Sequence, residues 1–317
     1  MKALITGAGG FVGKYLAAYL ESKGIEVFGT DIVNQSAAEF GQFRQCDLLD
    51  AKSVDALIAD VMPDCIYHLA GQSNVGVSWN QPALTMQVNV MGTVNLMDAV
   101  RRIAPGAKML IVGSADQYGI VSPDMCPLRE DMPLNPVSPY ALSKAMQERA
   151  AQFYIRHFGL HIVLVRAFNH IGPGQGLGFV IPDFASRIAR IEQGKLNRLE
   201  VGNLSAQRDF SDVRDIVRGY ALLMEKGRCG EVYNIGSGKP RRISDILKLL
   251  LSFSDADIEV FADPAKMRPS DAPLIYGDCT KIREHVGYQP ERRLEDTLKE
   301  ILDYWRARIA AEREEAI

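Results

Sequence analysis

The sequence of 317 residues predicts an α/β protein in which a doubly wound parallel sheet is followed by a smaller C-terminal α/β region. Two observations predict this class. Over the first 170 residues, short aliphatic or β-branched runs alternate with longer helical patterns, as expected for successive βα units. Most of the short runs are apolar almost throughout, which is typical of parallel strands that are covered on both faces.

Six strands and three long helices are predicted in this first part. The strands are 2–6, 26–31, 42–46, 65–69, 108–113 and 161–168, and the helices are 12–23, 83–103 and 139–158. Residues 169–181 are rich in glycine and are expected to form a loop. The elements predicted after it are a helix at 182–193, a strand at 198–201, a helix at 212–226, a strand at 232–235 that could rejoin the main sheet, a helix after 242 and a C-terminal helix from about 294.

The first strand leads directly into a glycine-rich turn that reads GAGGFVG at 7–13. Gly7, Gly10 and Gly13 have the spacing that allows a tight turn, a close approach to a pyrophosphate, and packing of helix on strand. The N-terminus of the following helix offers free N–H groups and a positive dipole to phosphates. Together with Phe11 and Val12, these glycines predict a dinucleotide site in a Rossmann-type fold.

Asp31 ends the second strand, 18 residues beyond Gly13. A carboxylate there accepts hydrogen bonds from the adenosine ribose and repels a 2′-phosphate. No arginine directly follows it, so the sequence favours NAD(H), with NADP(H) also possible. Other strand ends are expected to complete the cofactor site, namely Ile32, Asp47, Leu48, Leu69, Ala70 and Gly71. For Asp47, a plain role at the start of a helix is nearly as good an interpretation.

Residues 138–144 read SPYALSK. Ser138 is a good N-cap and Pro139 fits the first helical position, so a helix is predicted to start here. Tyr140 and Lys144 then lie one turn apart on the same face. A lysine ammonium and a helix N-terminus both favour the phenolate, so we expect the pKa of Tyr140 to lie well below its usual value of about 10. The alternative is an ordinary surface pair on an amphipathic helix.

Ser114 lies at the end of the fifth strand, at the carboxyl edge where open α/β sheets bind ligands. Its hydroxyl can polarise a carbonyl group while Tyr140 supplies or removes a proton. Lys144 is expected to lower the tyrosine pKa and to hold the nicotinamide ribose. These three side chains at a dinucleotide site predict hydride transfer between nicotinamide and a carbonyl or alcohol carbon.

Over nearly its whole length the chain resembles the extended short-chain dehydrogenase/reductase family of nucleotide-sugar enzymes. The resemblance rests on the glycine turn, Ser114, YxxxK at 140–144, RAFNH at 166–170 and RDFSDVRD at 208–215. It is strongest with the branch that acts on GDP-mannose derivatives, through FNH at 168–170, GNLSAQRDF at 202–210, RPSD at 268–271 and GDCTK at 277–281. We therefore expect a Rossmann domain of residues 1–168 and about 207–240, and a nucleotide-sugar domain of about 169–206 and 241–317.

That branch includes a GDP-mannose 4,6-dehydratase and a reductase of its product. Three features favour the reductase: IGPGQGLGFV follows FNH where the dehydratase usually carries ESPRRG, the chain is shorter, and Asp31 lacks the NADP-binding arginines. The expected reaction is the reduction of the C-4 keto group of GDP-4-keto-6-deoxy-D-mannose to GDP-D-rhamnose, with Tyr140 as proton donor. Asp116 occupies the position of the dehydratase's catalytic glutamate and is interpreted as a sugar-binding or inert acid.

Two other classes of function stay open at this point. One is a dehydratase or epimerase that retains its NAD through each turnover, for which Asp116 is the candidate additional acid. The other is a non-catalytic NAD-binding regulator, which the intact Ser114, Tyr140 and Lys144 disfavour because a sensor needs no proton-transfer groups.

The GDP-sugar is expected to bind toward the C-terminal region. Arg208 and Arg268 are candidates for the diphosphate or its ribose, because guanidinium groups match phosphate geometry. Asn169, Val180 and Asn203 are the other candidates. Each class has a plain alternative, since arginines often form surface ion pairs and asparagines often cap turns.

Composition disfavours several other classes of protein. The formal net charge of −3 gives no sequence-wide affinity for nucleic acid or anionic membranes. No apolar stretch approaches the roughly 18 residues that span a bilayer, and the first apolar run is too short for a signal peptide, so a cytoplasmic location is expected. Five scattered cysteines without a CxxC pattern predict free thiols, and five histidines without ligand spacing predict no metal.

The helices predicted at 83–103 and 139–158 carry apolar residues on more than one face. In the family that the chain resembles, these helices pair as a four-helix bundle, so the resemblance implies a homodimer. Burial against the sheet would explain much of the same pattern.

Overall fold

The structure is a computed structural model that describes residues 1–33, 40–266 and 272–314. Its strands are β1 (Lys2–Thr6), β2 (Glu26–Asp31), β3 (Phe43–Gln45), β4 (Cys65–His68), β5 (Lys108–Ser114), β6 (Ile162–Ala167), β7 (Asn169–Ile171), β8 (Arg198–Val201), β9 (Gln207–Asp212), β10 (Val232–Ile235), β11 (Pro240–Arg242), β12 (Glu259–Ala262) and β13 (Leu274–Ile275). Seven of these form one parallel sheet in the order β10-β6-β5-β4-β1-β2-β3. The strand order reverses beside β1, as in doubly wound folds.

The helices are α1 (Phe11–Ser22), α2 (Ala51–Val61), α3 (Val75–Asn80), α4 (Pro82–Met86), α5 (Gly92–Ile103), α6 (Pro139–Phe158), α7 (Val180–Glu192), α8 (Val213–Lys226), α9 (Ile243–Leu251), α10 (Thr280–Val286) and α11 (Leu294–Glu314). One hydrophobic cluster packs α1 and α8 on the sheet, and a second packs α2 and α5 on its other face. Because the sheet is covered on both sides, its inner strands β1, β4 and β6 are buried almost throughout. The predicted fold class is confirmed, and β10 rejoins the main sheet beside β6 as predicted.

Smaller sheets lie beside the main one. Strand β9 pairs with β7, β11 and β13, and β8 pairs with β12. A third hydrophobic cluster, to which α7, α9 and α11 contribute Ile188, Leu247 and Leu302, packs in this part of the molecule. None of the helices in the three described ranges is both long and apolar enough to cross a membrane.

Two sequence predictions are wrong in detail. The helix predicted over 83–103 is three segments, because a widened π-helical turn at Gln87–Met91 separates α4 from α5. The turn contains Asn89, whose buried amide accepts a hydrogen bond from the Gln72 N–H and donates one to the Ser143 hydroxyl. The loop predicted over 169–181 begins instead with β7, a short strand that starts at Asn169 and pairs with β9. Helix α2, for which no element was predicted, starts at an N-cap in which Asp50 accepts from the Lys52 N–H.

Candidate active site

A cavity of about 1690 Å³ lies at the carboxyl edge of the main sheet and extends toward β8 and β9. It is lined by every predicted site residue that lies in the described ranges. Those residues are Gly7, Gly10, Phe11, Val12, Gly13, Asp31, Ile32, Asp47, Leu48, Leu69, Ala70, Gly71, Ser114, Asp116, Tyr140, Lys144, Asn169, Val180, Asn203 and Arg208. Arg268 lies outside the described residues. The fold therefore brings together side chains that are far apart in the sequence.

The glycine turn between β1 and α1 has no room for a side chain at Gly7 or Gly13, two of the positions where the sequence predicted that glycine is required. Gly7 has a φ of +70°, and a Cβ there would lie 2.8 Å from the Ala70 backbone. A Cβ on Gly13 would lie 2.5 Å from the carbonyl oxygens of Gly7 and Ala8. The turn therefore forms a bare backbone cradle at the N-terminus of α1, which fits the pyrophosphate of a dinucleotide.

Asp31 lines the cavity at the end of β2, beside this turn. Its carboxylate accepts hydrogen bonds from the N–H groups of Gly9 (3.1 Å) and Ile32 (2.8 Å). These contacts fix the carboxylate against the glycine turn. An acid held there is positioned to meet the adenosine ribose of a cofactor whose phosphates lie on the turn.

Helix α6 begins as predicted, with the Ser138 hydroxyl accepting from the Ala141 N–H at 3.1 Å. This start places Tyr140 in the first turn, beside Ser114 at the end of β5, and both side chains line the cavity. Ser114 in turn accepts from the N–H of Asp116 at 3.1 Å. Two hydroxyl groups thus meet at the cavity wall, where one carbonyl oxygen could contact both.

The predicted lowering of the Tyr140 pKa is wrong for this structure. Burial raises the pKa of Tyr140 above its usual value, the charge of Asp116 raises it further, and the neighbouring Ser114 hydroxyl only partly opposes them. The Lys144 ammonium donates to the Val112 carbonyl and to Gln147, each at 2.9 Å, and is not among the groups that shift the tyrosine. Burial lowers the pKa of the lysine to about 8. A protonated phenol is the form that donates a proton.

Sequence reasoning missed the buried polar residues behind this site. Gln147 contacts the ammonium of Lys144, and Asn89 contacts the hydroxyl of Ser143 at 2.8 Å. Glu148 forms a buried ion pair with Arg166 of β6 at 2.8 Å. The only signal in the sequence that could have found them is helical spacing. Gln147 and Glu148 follow Lys144 by three and four residues, which places them beside it on the same helix.

The far end of the cavity holds the residues predicted for the substrate. Arg208 donates to the Ala272 carbonyl at 2.7 Å, and Asn203 accepts from the Ser205 N–H at 2.9 Å, as a turn-capping asparagine does. Asn169 is exposed at the start of β7, and Val180 starts α7. Four charged residues of the described ranges that were not predicted also line this end: Asp183, Arg187, Glu200 and Lys266. Glu200 pairs with Lys266 at 3.0 Å and with Arg187 at 3.5 Å.

Within the described part of the chain, no group of three or more histidine, cysteine or acidic side chains is placed to hold a metal ion. The cavity instead combines a phosphate cradle with hydroxyl and amine groups. This is the donor set of a nucleotide site with proton-transfer chemistry.

The family described as GDP-mannose 4,6 dehydratase matches residues 4–301 of this chain. A GDP-6-deoxy-D-mannose reductase from Pseudomonas aeruginosa is 35% identical over 312 residues, covering 98% of this chain and 99% of the relative. The chain belongs to this family.

Solved structures agree with this assignment. The chain superimposes on RMD from Pseudomonas aeruginosa complexed with NADPH with a TM-score of 0.84 at 34% identity, covering 97% of this chain and 99% of that one. It also matches a Thermus thermophilus UDP-glucose 4-epimerase in complex with NAD, with a TM-score of 0.86 at 27% identity, covering 96% and 99%. Nicotinamide cofactors are thus used by the enzymes that this chain resembles.

Proposed function

We propose that this protein is an NAD(P)H-dependent reductase that converts the C-4 keto group of GDP-4-keto-6-deoxy-D-mannose to the alcohol of GDP-D-rhamnose. The observation that carries the proposal is that Ser114 and Tyr140 lie side by side in a cavity that also contains a dinucleotide cradle. The similarity to the Pseudomonas aeruginosa reductase over almost the whole chain supports the substrate.

A bound nicotinamide would supply the hydride that C-4 of the sugar accepts. The Ser114 hydroxyl would polarise the C-4 carbonyl, and Tyr140 would protonate its oxygen as the alcohol forms. Burial favours the neutral phenol, which is the form required for this step. Lys144 would hold the cofactor ribose through its ammonium group, whose pKa burial lowers to about 8.

The remaining site assignments belong to the same proposal. The glycine turn (Gly7, Gly10, Phe11, Val12 and Gly13) would hold the pyrophosphate, Asp31 and Ile32 the adenosine ribose, and Asp47 and Leu48 the adenine side. Leu69, Ala70 and Gly71 would lie beside the middle of the cofactor. Asn169, Val180, Asn203, Arg208 and Arg268 would bind the GDP-sugar. Residues 1–168 and about 207–240 would form the cofactor domain, and about 169–206 and 241–317 the substrate domain.

NADH is the proposed preferred reductant because Asp31 would repel a 2′-phosphate. The solved Pseudomonas aeruginosa relative holds NADPH. The preference for NADH is therefore proposed for this chain alone, on the basis of its Asp31. Initial rates with the two cofactors at equal concentration test it directly.

A dehydratase that retains NAD is the second candidate function. The observation that favours it is Asp116, which lines the cavity and lies close enough to Tyr140 for its charge to raise the tyrosine pKa. Dehydration needs an acid to expel the C-6 hydroxyl group and a base to remove the C-5 proton, whereas reduction needs only the Ser114 and Tyr140 pair. The simpler reaction therefore fits the site better.

The deciding experiment mixes purified protein with GDP-4-keto-6-deoxy-D-mannose and NADH and follows nicotinamide absorbance. One NADH consumed for each sugar reduced supports the reductase. Conversion of GDP-mannose without added cofactor, by protein that carries NAD through purification, would support the dehydratase instead.

A homodimer and a cytoplasmic location complete the proposal. Leu142, Met146 and Phe153 of α6 are 43–47% exposed, and Leu84 of α4 and Met91 are 43% and 49% exposed. A four-helix bundle with a second copy would cover them. All five cysteines are free, which is expected of a protein in a reducing compartment.

A further inference from the structure

A chain of buried hydrogen bonds runs from Lys144 on α6 to Thr6 on β1. The ammonium donates to Oε1 of Gln147 (2.9 Å), and Nε2 of Gln147 donates to Oγ1 of Thr93 (3.0 Å). That oxygen lies 2.7 Å from Nε2 of His68, whose Nδ1 lies 2.8 Å from the Thr6 hydroxyl. The four residues beyond the lysine are at most 1% exposed. Since Thr6 directly precedes the glycine turn, the chain joins the lysine to the strand that carries the phosphate cradle.

The direction of the Thr93 hydrogen bond assigns the donors and acceptors along this chain. The Thr93 hydroxyl donates its proton to the Asn89 carbonyl at 2.7 Å, so its lone pairs accept from Gln147 and from His68. The imidazole therefore carries its proton on Nε2, and its Nδ1 accepts from the Thr6 hydroxyl. Burial lowers the pKa of His68 to about 3, which keeps it neutral. The Gln147 amide is thus fixed with its nitrogen toward Thr93 and its oxygen toward the lysine.

We propose that Gln147 is a positioning residue for Lys144, whose ammonium it aims into the cofactor cavity and whose charge it supports. Two of the three ammonium N–H groups are engaged by the Val112 carbonyl and Gln147. The third N–H is left for a ligand in the cavity that Lys144 lines. This inference rests on the proposed function, because the orientation of the lysine matters only if the cavity binds a nicotinamide cofactor.

The charge state of Lys144 depends on few other groups. The titratable groups on the elements packed around it are Tyr140 and Glu148 of α6, His68 of β4, and Asp116 in the turn after β5. Glu148 is already paired with Arg166, and His68 is neutral. Loss of an acceptor disfavours the buried ammonium, whereas a carboxylate in the same place favours it. Replacing Gln147 by an apolar or an acidic residue therefore shifts the lysine titration in opposite directions.

The test compares Gln147→Leu and Gln147→Glu with Gln152→Leu, which removes an amide from the same helix that bonds Glu148 instead of the lysine. The dissociation constant of NADH is measured by fluorescence as a function of pH, without sugar. Wild-type affinity is expected to weaken as the pH rises through about 8. The midpoint should fall by about one pH unit in Gln147→Leu and rise by about one in Gln147→Glu. The control midpoint should not move.

Two midpoints that stay in place, or that move in the same direction, overturn the proposal. Because no sugar is present in the titration, its result does not depend on whether the protein reduces the keto sugar. Normal pH-dependent NADH binding without reduction of the keto sugar would refute the reductase and leave the role of Gln147 supported. A wild-type protein that binds neither NADH nor NADPH overturns both.

If a Gln147 variant does not fold, Thr93 provides a second route. Thr93→Val removes the hydroxyl that orients the amide and should lower the midpoint as Gln147→Leu does. Thr93→Ser retains the hydroxyl and should restore the wild-type value. A Thr93→Val midpoint equal to that of the wild type would contradict the proposal.

Discussion

Tyr140 lies buried in the first turn of α6 beside Ser114, and its proposed role depends on its hydroxyl oxygen. Tyr140→Phe removes that oxygen and leaves the ring in place. Turnover should fall by about 10² to 10⁴-fold, as expected for loss of a general acid, while NADH affinity stays close to wild type. Steady-state rates and fluorescence titration measure the two effects. Tyr154→Phe, on the same helix, is the control, and an active Tyr140→Phe enzyme would contradict the assignment.

The buried side chain of His68 makes the free energy of unfolding depend on pH. Burial lowers its pKa to about 3, whereas the unfolded chain has a value of about 6.5, so only the unfolded chain takes up the proton as the pH falls. The free energy of unfolding should therefore decrease from about pH 6.5 downward, by about 2 kcal/mol at pH 5 from this group. His68→Asn should lose that part of the pH dependence. Urea unfolding at pH 7 and pH 5 measures the free energy of unfolding of both proteins. An equal change between the two pH values in the wild type and in His68→Asn would refute the prediction.

Some residues of the candidate site follow from the sequence because their chemistry is local. Ser138 and Pro139 specify a helix start, and that start alone places Tyr140 in a first turn. The pKa of Tyr140 was not predictable in the same way. It depends on burial by distant segments and on the direction taken by the Lys144 ammonium, which the Val112 carbonyl and Gln147 determine.

At the scale of elements, α6 is tied to the sheet by a buried ion pair. Arg166 of β6 donates to both carboxylate oxygens of Glu148, and both side chains are 4% exposed. Glu148→Ala should lower the free energy of unfolding by about 3–5 kcal/mol, because it leaves the guanidinium buried without its carboxylate. Asp131→Ala, which removes the exposed partner of Arg129, should change the free energy of unfolding far less, because solvent screens that pair. Urea unfolding compares them, and equal losses would contradict this view of α6.

The main-sheet elements were predictable because continuous apolar runs and a glycine turn are local signals. The widened turn at Gln87–Met91 was not, because apolar residues continue across it on more than one face and only tertiary contacts of Asn89 mark the turn. Strand β7 was missed for a similar reason. Its three residues depend on pairing with β9, which lies 38 residues further along the chain.

At the scale of the whole molecule, the exposed apolar residues of α4 and α6 predict a second copy. Phe153→Glu combined with Met146→Glu should give a single-chain particle, because it places charges in the proposed interface. Val260→Glu, at an exposed site on β12, should leave the dimer intact. Sedimentation measures the mass of each. A wild-type protein that sediments as one chain would refute the bundle.

Hydride can reach C-4 of the sugar only if the glycine-turn cradle, α6 and the substrate region meet in one cavity, as the reductase proposal requires. NADH carrying deuterium at the transferred position, incubated with GDP-4-keto-6-deoxy-D-mannose, tests this directly by mass spectrometry and NMR of the sugar. We predict one deuterium at C-4 of GDP-D-rhamnose. An unlabelled product, or no reduction while GDP-mannose is dehydrated by protein-bound NAD, would contradict the account.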